Sequence, residues 1–196
     1  MLTIPEQLCE AGKIMFEKRL TDMAGGNISA RVDDIVYMSP RYSGSRLHWQ
    51  LTPDDLVSGR WADDEITHNP RFSREGLAHL AIYRAFPDVM GIVHAHPFYV
   101  MPFASLSRPI EPVLEATQKF GVVNVAKPAP AHSRELAQNV VEALAGQEER
   151  MRKQAAAVIL PNHGVILAGK EFMAVLDALE RLNTNAYCIL ARKLLE

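Results

Sequence analysis

The apolar positions of this chain change period several times, and each change marks the edge of an element. Between residues 3 and 20, Leu8, Ala11, Met15 and Phe16 recur at helical spacing. Thr3-Ile4-Pro5-Glu6 ahead of them has the T-x-x-E form of a capping box with proline in the first turn, which predicts a first helix. Gly25-Gly26 breaks that pattern, and Asn27–Val32 and Ile35–Met38 then read as two short strands joined at Asp33-Asp34. A loop rich in Pro, Ser, Gly and Arg follows. Thr52-Pro53-Asp54-Asp55 predicts a short turn of helix, and the polar stretch 58–69 a strand plus loop.

Ser73 is placed to cap a helix running to about Phe86, stopped by Pro87-Asp88, and 89–94 has the apolar run of a buried strand. Next come a helix from about Pro97, a strand over 122–126, and a helix capped by Ser133 that ends near Gly146. Residues 157–160 and 165–168 predict two strands linked by Pro161-Asn162-His163-Gly164, and a long amphipathic helix starts near Glu171. Helices and strands alternate with no Pro/Gly/Ser linker and no repeat of fixed period. The expectation is therefore one α/β domain spanning residues 1–196.

Composition narrows the partners. Of 196 residues 48% are apolar and 22% charged, which excludes global disorder. A chain of this length buries roughly 70% of its unfolded surface and needs no metal or disulfide staple, so a metal site here would be functional. Lys plus Arg number 21 against 23 Asp plus Glu, with no long like-charge block, so neither nucleic acid nor a membrane surface is expected as partner. The two cysteines, Cys9 and Cys188, form no C-x-x-C pair and read as reduced core thiols. No signal-peptide pattern or membrane-spanning run is present, so a soluble cytoplasmic protein is expected.

The sharpest chemical feature is His94-Ala95-His96 where an apolar strand ends. Side chains at i and i+2 of an extended chain point the same way, so both imidazoles can face one ion. His163, in the tight turn between two apolar strands, is the best third candidate. The alternative is that these are ordinary histidines. Glu75 reads either as a carboxylate brought near the strand's end or as a first-turn Glu that stabilises its own helix, and spacing alone favours the second. His79, one turn on, reads as packing. Gly25-Gly26-Asn27 has the composition of a backbone nest, and Ser43-Gly44 and Ser73 offer hydroxyl and backbone donors for an anion, although serine and glycine are also default turn chemistry. No Walker loop, G-x-G-x-x-G or G-x-S-x-G occurs, so nucleotide binding and an α/β-hydrolase have no support.

In order, Gly25-Gly26-Asn27-Ile28-Ser29, Ser43-Gly44, Ser73-Arg74-Glu75 with His79 and Tyr83, Pro87-Asp88-Val89 leading into Val93-His94-Ala95-His96, and Asn162-His163-Gly164-Val165 resemble the class II aldolase/adducin family over nearly the whole chain. That family includes fuculose-1-phosphate aldolase, ribulose-5-phosphate 4-epimerase and methylthioribulose-1-phosphate dehydratase. The resemblance implies a single three-layer α/β/α domain with a central, largely antiparallel sheet, assembled as a homotetramer with active sites at subunit interfaces. It implies His94, His96 and His163 as ligands of Zn2+ or another divalent metal such as Mn2+, Co2+ or Fe2+. It implies Glu75 as resting-state ligand and catalytic base, and Gly26, Asn27, Ser43, Gly44 and Ser73 as the phosphate cradle. The implied activity is an aldolase-type lyase that cleaves a phosphorylated ketose through a metal-stabilised enediolate; three neutral imidazoles leave the metal's charge intact for that purpose.

Three departures keep other activities of the family open. The chain has Ser39-Pro40-Arg41-Tyr42-Ser43-Gly44 where the aldolases carry T-P-[ST]-G, and Arg74 where they carry a second serine, an arginine suited to phosphate or to a substrate carboxylate. An approximate alignment puts Glu115 where fuculose aldolase has an interface tyrosine and the epimerase and dehydratase a carboxylate, which implies a second acid/base group. The dehydratase, however, lacks the acid that Glu75 matches. Epimerase, dehydratase and aldonate-phosphate decarboxylase are the alternatives, with a zinc hydrolase and a metal-free adducin-like interaction module as rivals from other classes.

Overall fold

Asn27–Val32 (β1) and Ile35–Met38 (β2) form the expected hairpin, with Asp33 at φ 53° in the turn. The computed structural model describes residues 2–192, 194 and 195. Four further strands, Val57–Arg60 (β3), Gly91–Ala95 (β4), Ala156–Leu160 (β5) and Gly164–Gly169 (β6), complete a six-stranded sheet in the order β3-β2-β1-β4-β6-β5. Every ladder between these strands is antiparallel.

Helices cover both faces, which explains why β4, β5 and β6 are apolar without strict alternation. On one face Val93, Ala95, Val165 and Leu167 pack with Leu8 and Met15 of Ile4–Glu17 (α1) and with Val175, Leu179 and Leu182 of Phe172–Arg192 (α7). On the other, Ile92, Val158, Ile166 and Ala168 pack with Leu80 and Ile82 of Gly76–Ala85 (α3) and with Leu136 and Val140 of Arg134–Leu144 (α5). This is the three-layer α/β/α arrangement expected. The Thr3/Glu6 capping box on α1 is formed, and Ser133 caps α5 by accepting from the Leu136 N–H at 2.9 Å. Each such cap stabilises its helix by about 1 kcal/mol.

Several boundaries differ from expectation. Ser73 does not cap α3: the Gly76 N–H closes a turn onto the Ser73 carbonyl, and Glu75 takes the N-cap position without capping through its side chain. The helix expected from Pro97 is shortened to Met101–Ser105 (α4), after a turn in which Val100 and Met101 donate to the Pro97 carbonyl. In place of a strand at 122–126 there are two isolated bridges, Ile110 with Val123 and Val125 with Ile159. Two short helices, Ser43–Leu47 (α2) and Glu148–Lys153 (α6), lie outside the expected elements. Cys9 and Cys188 are half-buried rather than core thiols, and burial with the nearby Asp55 and Glu6 raises Cys9 to about 11. Among the described residues no helix is long and apolar enough to cross a membrane.

Candidate functional site

Antiparallel pairing decides where the polar groups collect. Since β4 runs opposite to both β1 and β6, its C-terminal end meets their N-terminal ends at one end of the sheet. The register sets Asn27 opposite His94, His94 opposite Ile166 and Ala95 opposite Val165. His94, His96 just past the strand and His163 in the β5–β6 turn thus converge, with ring centroids 4.7 to 5.6 Å apart and one ligand atom of each within 4.8 Å of the others. Two glycines permit the approach. Gly26 has φ +93°, and a Cβ on Gly164 would lie 2.5 Å from the Ala95 carbonyl oxygen and 2.8 Å from His96 Cδ2.

Hydrogen bonds fix which ring nitrogen is free. His94 Nδ1 lies 3.1 Å from the Val165 carbonyl oxygen, which can only accept, so the proton sits on Nδ1 and Nε2 keeps its lone pair. His96 Nδ1 lies 3.2 Å from Asp22 Oδ1, and its buried Nε2 has no hydrogen-bond partner among the described residues. Burial, then His163 and His96, holds His94 well below its ordinary pKa, and burial with His96 and His132 lowers His163 to about 4. All this fits a divalent cation: three imidazoles with convergent ring nitrogens, one of them orphaned in the interior.

Asp22 is a residue that sequence reasoning missed. Its Oδ1 also accepts from the N–H groups of Ala24 and Gly25 at 2.9 and 3.0 Å, and its carbonyl accepts from the buried Trp49 indole at 3.1 Å. Burial works to raise its carboxyl, and the bonds from His96, Gly25 and Ala24 outweigh that and hold it below the usual range. It therefore orients His96 as a carboxylate commonly orients a metal-bound histidine. An acidic residue shortly before a Gly-Gly pair was the available signal.

Glu75, 7% exposed, points into the same space. Its Oε1 accepts from the His132 N–H at 3.0 Å and from His132 Nδ1 at 2.7 Å, and lies 3.8 Å from His163 Nε2. Burial raises its carboxyl above the usual range against the opposing pull of His132 and then Arg74. His132 was also missed, because no spacing in the sequence links it to a residue 57 positions earlier.

These groups line one cavity of about 250 Å³ that Gly26, Asn27, Ser43, Gly44, Ser73 and Arg74 also line. Asn27 is 1% exposed, and both polar atoms of its amide are buried without a hydrogen-bond partner among the described residues, as expected of a group awaiting a ligand. The Ser43 hydroxyl differs from expectation: it donates to the Pro40 carbonyl at 2.6 Å, so Ser43 can serve an anion only through its backbone. Arg74 stands at the rim, its guanidinium 5.6 Å from the Tyr42 ring centroid, with Arg41 and Arg46 at 4.6 and 4.4 Å from the same ring. Glu115 does not line this cavity. It lies exposed at the start of the short helix Glu115–Phe120. A larger groove of about 970 Å³ touches His96 from the other side but is mostly apolar, lined by Phe16, Met23, Phe98, Tyr99 and Leu190 among others, and lacks this convergence of polar groups.

Residues 6–190 match the family model described as class II aldolase and adducin N-terminal domain. An L-fuculose phosphate aldolase of Methanococcus maripaludis is 27% identical over 160 residues, covering 81% of each chain. A 3-oxo-tetronate 4-phosphate decarboxylase of Haemophilus influenzae is 28% identical over 185 residues, 92% of this chain and 84% of the relative. Among solved structures, an L-fuculose 1-phosphate aldolase superposes with a TM-score of 0.83 at 25% identity, over 100% of this chain and 90% of that one.

Proposed function

Because the chain belongs to the class II aldolase and adducin family, we propose that it is a metal-dependent aldolase-type lyase that cleaves a phosphorylated ketose. The observation that carries this reading is the single cavity in which three convergent imidazoles, a buried carboxylate and an orphaned amide meet. His94, His96 and His163 would hold a divalent cation, zinc being the best match to an all-imidazole set. When bound, the cation supplies Lewis-acid polarisation of the ketose carbonyl and hydroxyl oxygens.

The chain's own groups do the rest. Asn27, Ser73 and the backbone of Gly26 and Gly44 bind the phosphate, so that binding energy remote from the reacting carbons sets the substrate's register. In the cleavage direction the C–C bond breaks, the departing fragment's hydroxyl loses its proton as it becomes an aldehyde, and the carbon left behind gains one. Glu75, raised above the usual carboxylate range, is suited to deliver that proton and in the reverse direction to remove it.

Glu115 is proposed as the acid/base group for the departing fragment, contributed across a subunit contact in a homotetramer. Mixing Glu115→Gln with His94→Ala protein, each inactive alone, should then restore partial activity after subunit exchange. Full activity of Glu115→Gln alone removes the residue from the mechanism. The half-buried free cysteines are in keeping with a cytoplasmic setting.

A second reading, decarboxylation of an aldonate phosphate, is favoured by Arg74 at the cavity rim beside Arg41, where a substrate carboxylate would be met, and by the tetronate-phosphate decarboxylase relative. One screen separates the two. Protein loaded with Zn2+, Mn2+, Co2+ or Fe2+ is offered ketose phosphates and aldonate phosphates. Release of an aldehyde with dihydroxyacetone phosphate is expected; carbon dioxide favours the second reading, and no turnover of either class overturns both.

A further inference from the structure

Among the described residues, His132 is the one outside the expected site whose side chain and backbone both approach a group inside it. Two donors of this one residue, the N–H at 3.0 Å and Nδ1 at 2.7 Å, converge on Oε1 of Glu75, and Oε2 has no hydrogen-bond partner among the described residues. The backbone that makes this possible is strained: His132 has φ +66°, a left-handed conformation that a non-glycine residue adopts only at a cost. Such strain persists only where the surroundings impose it. Here they do, since Pro128 and Pro130 stiffen the approach, Ser133 caps α5 immediately afterwards, and α5 packs on α3, whose N-cap is Glu75.

The N-cap position sharpens the point. Glu75 occupies the N-cap position of α3, yet its carboxylate accepts no bond from the first N–H groups of that helix. His132 holds it instead. We infer that His132 is a positioning residue for Glu75: it draws the carboxylate off its own helix end and pins one oxygen, leaving the other to carry the proton in the cavity. The inference rests on the reading of Glu75 as the proton-transfer group.

His132→Gly and His132→Asn separate positioning from bulk structure. Glycine relieves the backbone strain and keeps the N–H while removing the ring. Asparagine tolerates the same φ, and its amide nitrogen falls where Nδ1 lies. In metal-loaded protein, exchange of solvent deuterium into dihydroxyacetone phosphate should fall at least tenfold in kcat for His132→Gly, with KM, metal content and melting temperature held or the last raised. His132→Asn should recover most of it. Wild-type kcat in His132→Gly, or His132→Asn as impaired as the glycine variant, overturns the inference.

A second readout does not depend on turnover. In a cycle of wild type, His132→Gly, Glu75→Gln and the double variant, the shifts in melting temperature should be non-additive, and additive shifts overturn the pairing. Glu75→Gln with wild-type exchange means that the reading of Glu75 has failed. An inactive Glu75→Gln beside a fully active His132→Gly means that only the role of His132 has.

Discussion

His79 and His94 are both fully enclosed imidazoles whose pKa burial has driven far down, His79 to about 3, yet they sit in opposite kinds of surroundings. His79 lies on α3, its Nδ1 2.7 Å from the Ser29 hydroxyl, which is in turn 2.9 Å from the Tyr83 hydroxyl. Its Nε2 has no hydrogen-bond partner and no companion ligand among the described residues. His94 is anchored through Nδ1 by a carbonyl, and its ring meets two further imidazoles at centroid distances of 5.3 and 4.7 Å. Burial, a shifted pKa and an orphaned nitrogen therefore do not by themselves mark a site. Convergence of several free donors on one point does, and only the end of the sheet provides it.

The most direct way to break this contrast is metal content. The wild type should retain roughly one divalent ion per chain after gel filtration, and His94→Ala, His96→Ala and His163→Ala should each lose most of it, since a three-ligand site deprived of one imidazole keeps too few donors. His79→Ala should keep its metal and lose stability instead, by about 2–4 kcal/mol in denaturant melts, because it empties a packed position and removes one of the two partners of the Ser29 hydroxyl. Stoichiometric metal in all three site variants would sink the metal centre. Metal loss from His79→Ala at full stability would erase the distinction.

Glu75→Gln sharpens the comparison within the site. The amide cannot act as a base, so proton exchange should fall about 10²- to 10⁴-fold while metal and fold are retained. Wild-type exchange rates in this variant would move the base elsewhere.

What could be read from sequence follows the same division between local and convergent features. The β1–β2 hairpin and the His163 turn were legible because Asp33 at φ 53° and Asn162 at φ 55° sit in tight turns between apolar runs, a local signal. The three convergent histidines were legible because i and i+2 share a face and a strand-end turn presents the third. Residues 122–126 misled because an apolar run does not by itself fix how long a ladder it forms, even beside the edge strand β5. Here it shares with β5 only the bonds from Ala126 N–H to the Ile159 carbonyl and from Ile159 N–H to the Asn124 carbonyl, both 2.9 Å. The start of α3 was misplaced because Ser73 is an ordinary capping residue, and nothing nearby in sequence shows that His132 takes the Glu75 carboxylate. Asp22, hinted at only by the Gly-Gly pair it precedes, and His132 escaped for one reason: each reaches its partner through packing between residues 74 and 57 positions apart, respectively.

Asp22 provides a gentler test of convergence. Asp22→Asn keeps the side chain's shape but removes the charge that holds the Nδ1 proton on His96, so the metal dissociation constant in a chelator competition should rise about 10- to 100-fold. The fold should be unaffected. Unchanged affinity would make the Asp22–His96 contact a loop fastener and no more.

The smallest effect is the share of a pH dependence that His79 contributes. Its folded pKa of about 3 lies below the roughly 6.5 of an unfolded histidine, so between those values the unfolded chain binds a proton that the folded chain refuses. The sign follows: this contribution to stability is complete above about pH 7 and is lost as pH falls, at about 1.4 kcal/mol per unit once well below 6.5. His94 and His163 are depressed in the same direction and steepen the same slope. Their share is common to wild type and a His79→Asn variant and cancels in the difference between them. The stability gap between those two proteins, measured by denaturant unfolding, should therefore narrow by about 2 kcal/mol between about pH 7.5 and pH 5, since the amide has no proton to refuse. A gap that stays constant over that range would mean that His79 can be protonated without unfolding, and its burial would then be less complete than the Ser29–Tyr83 network makes it.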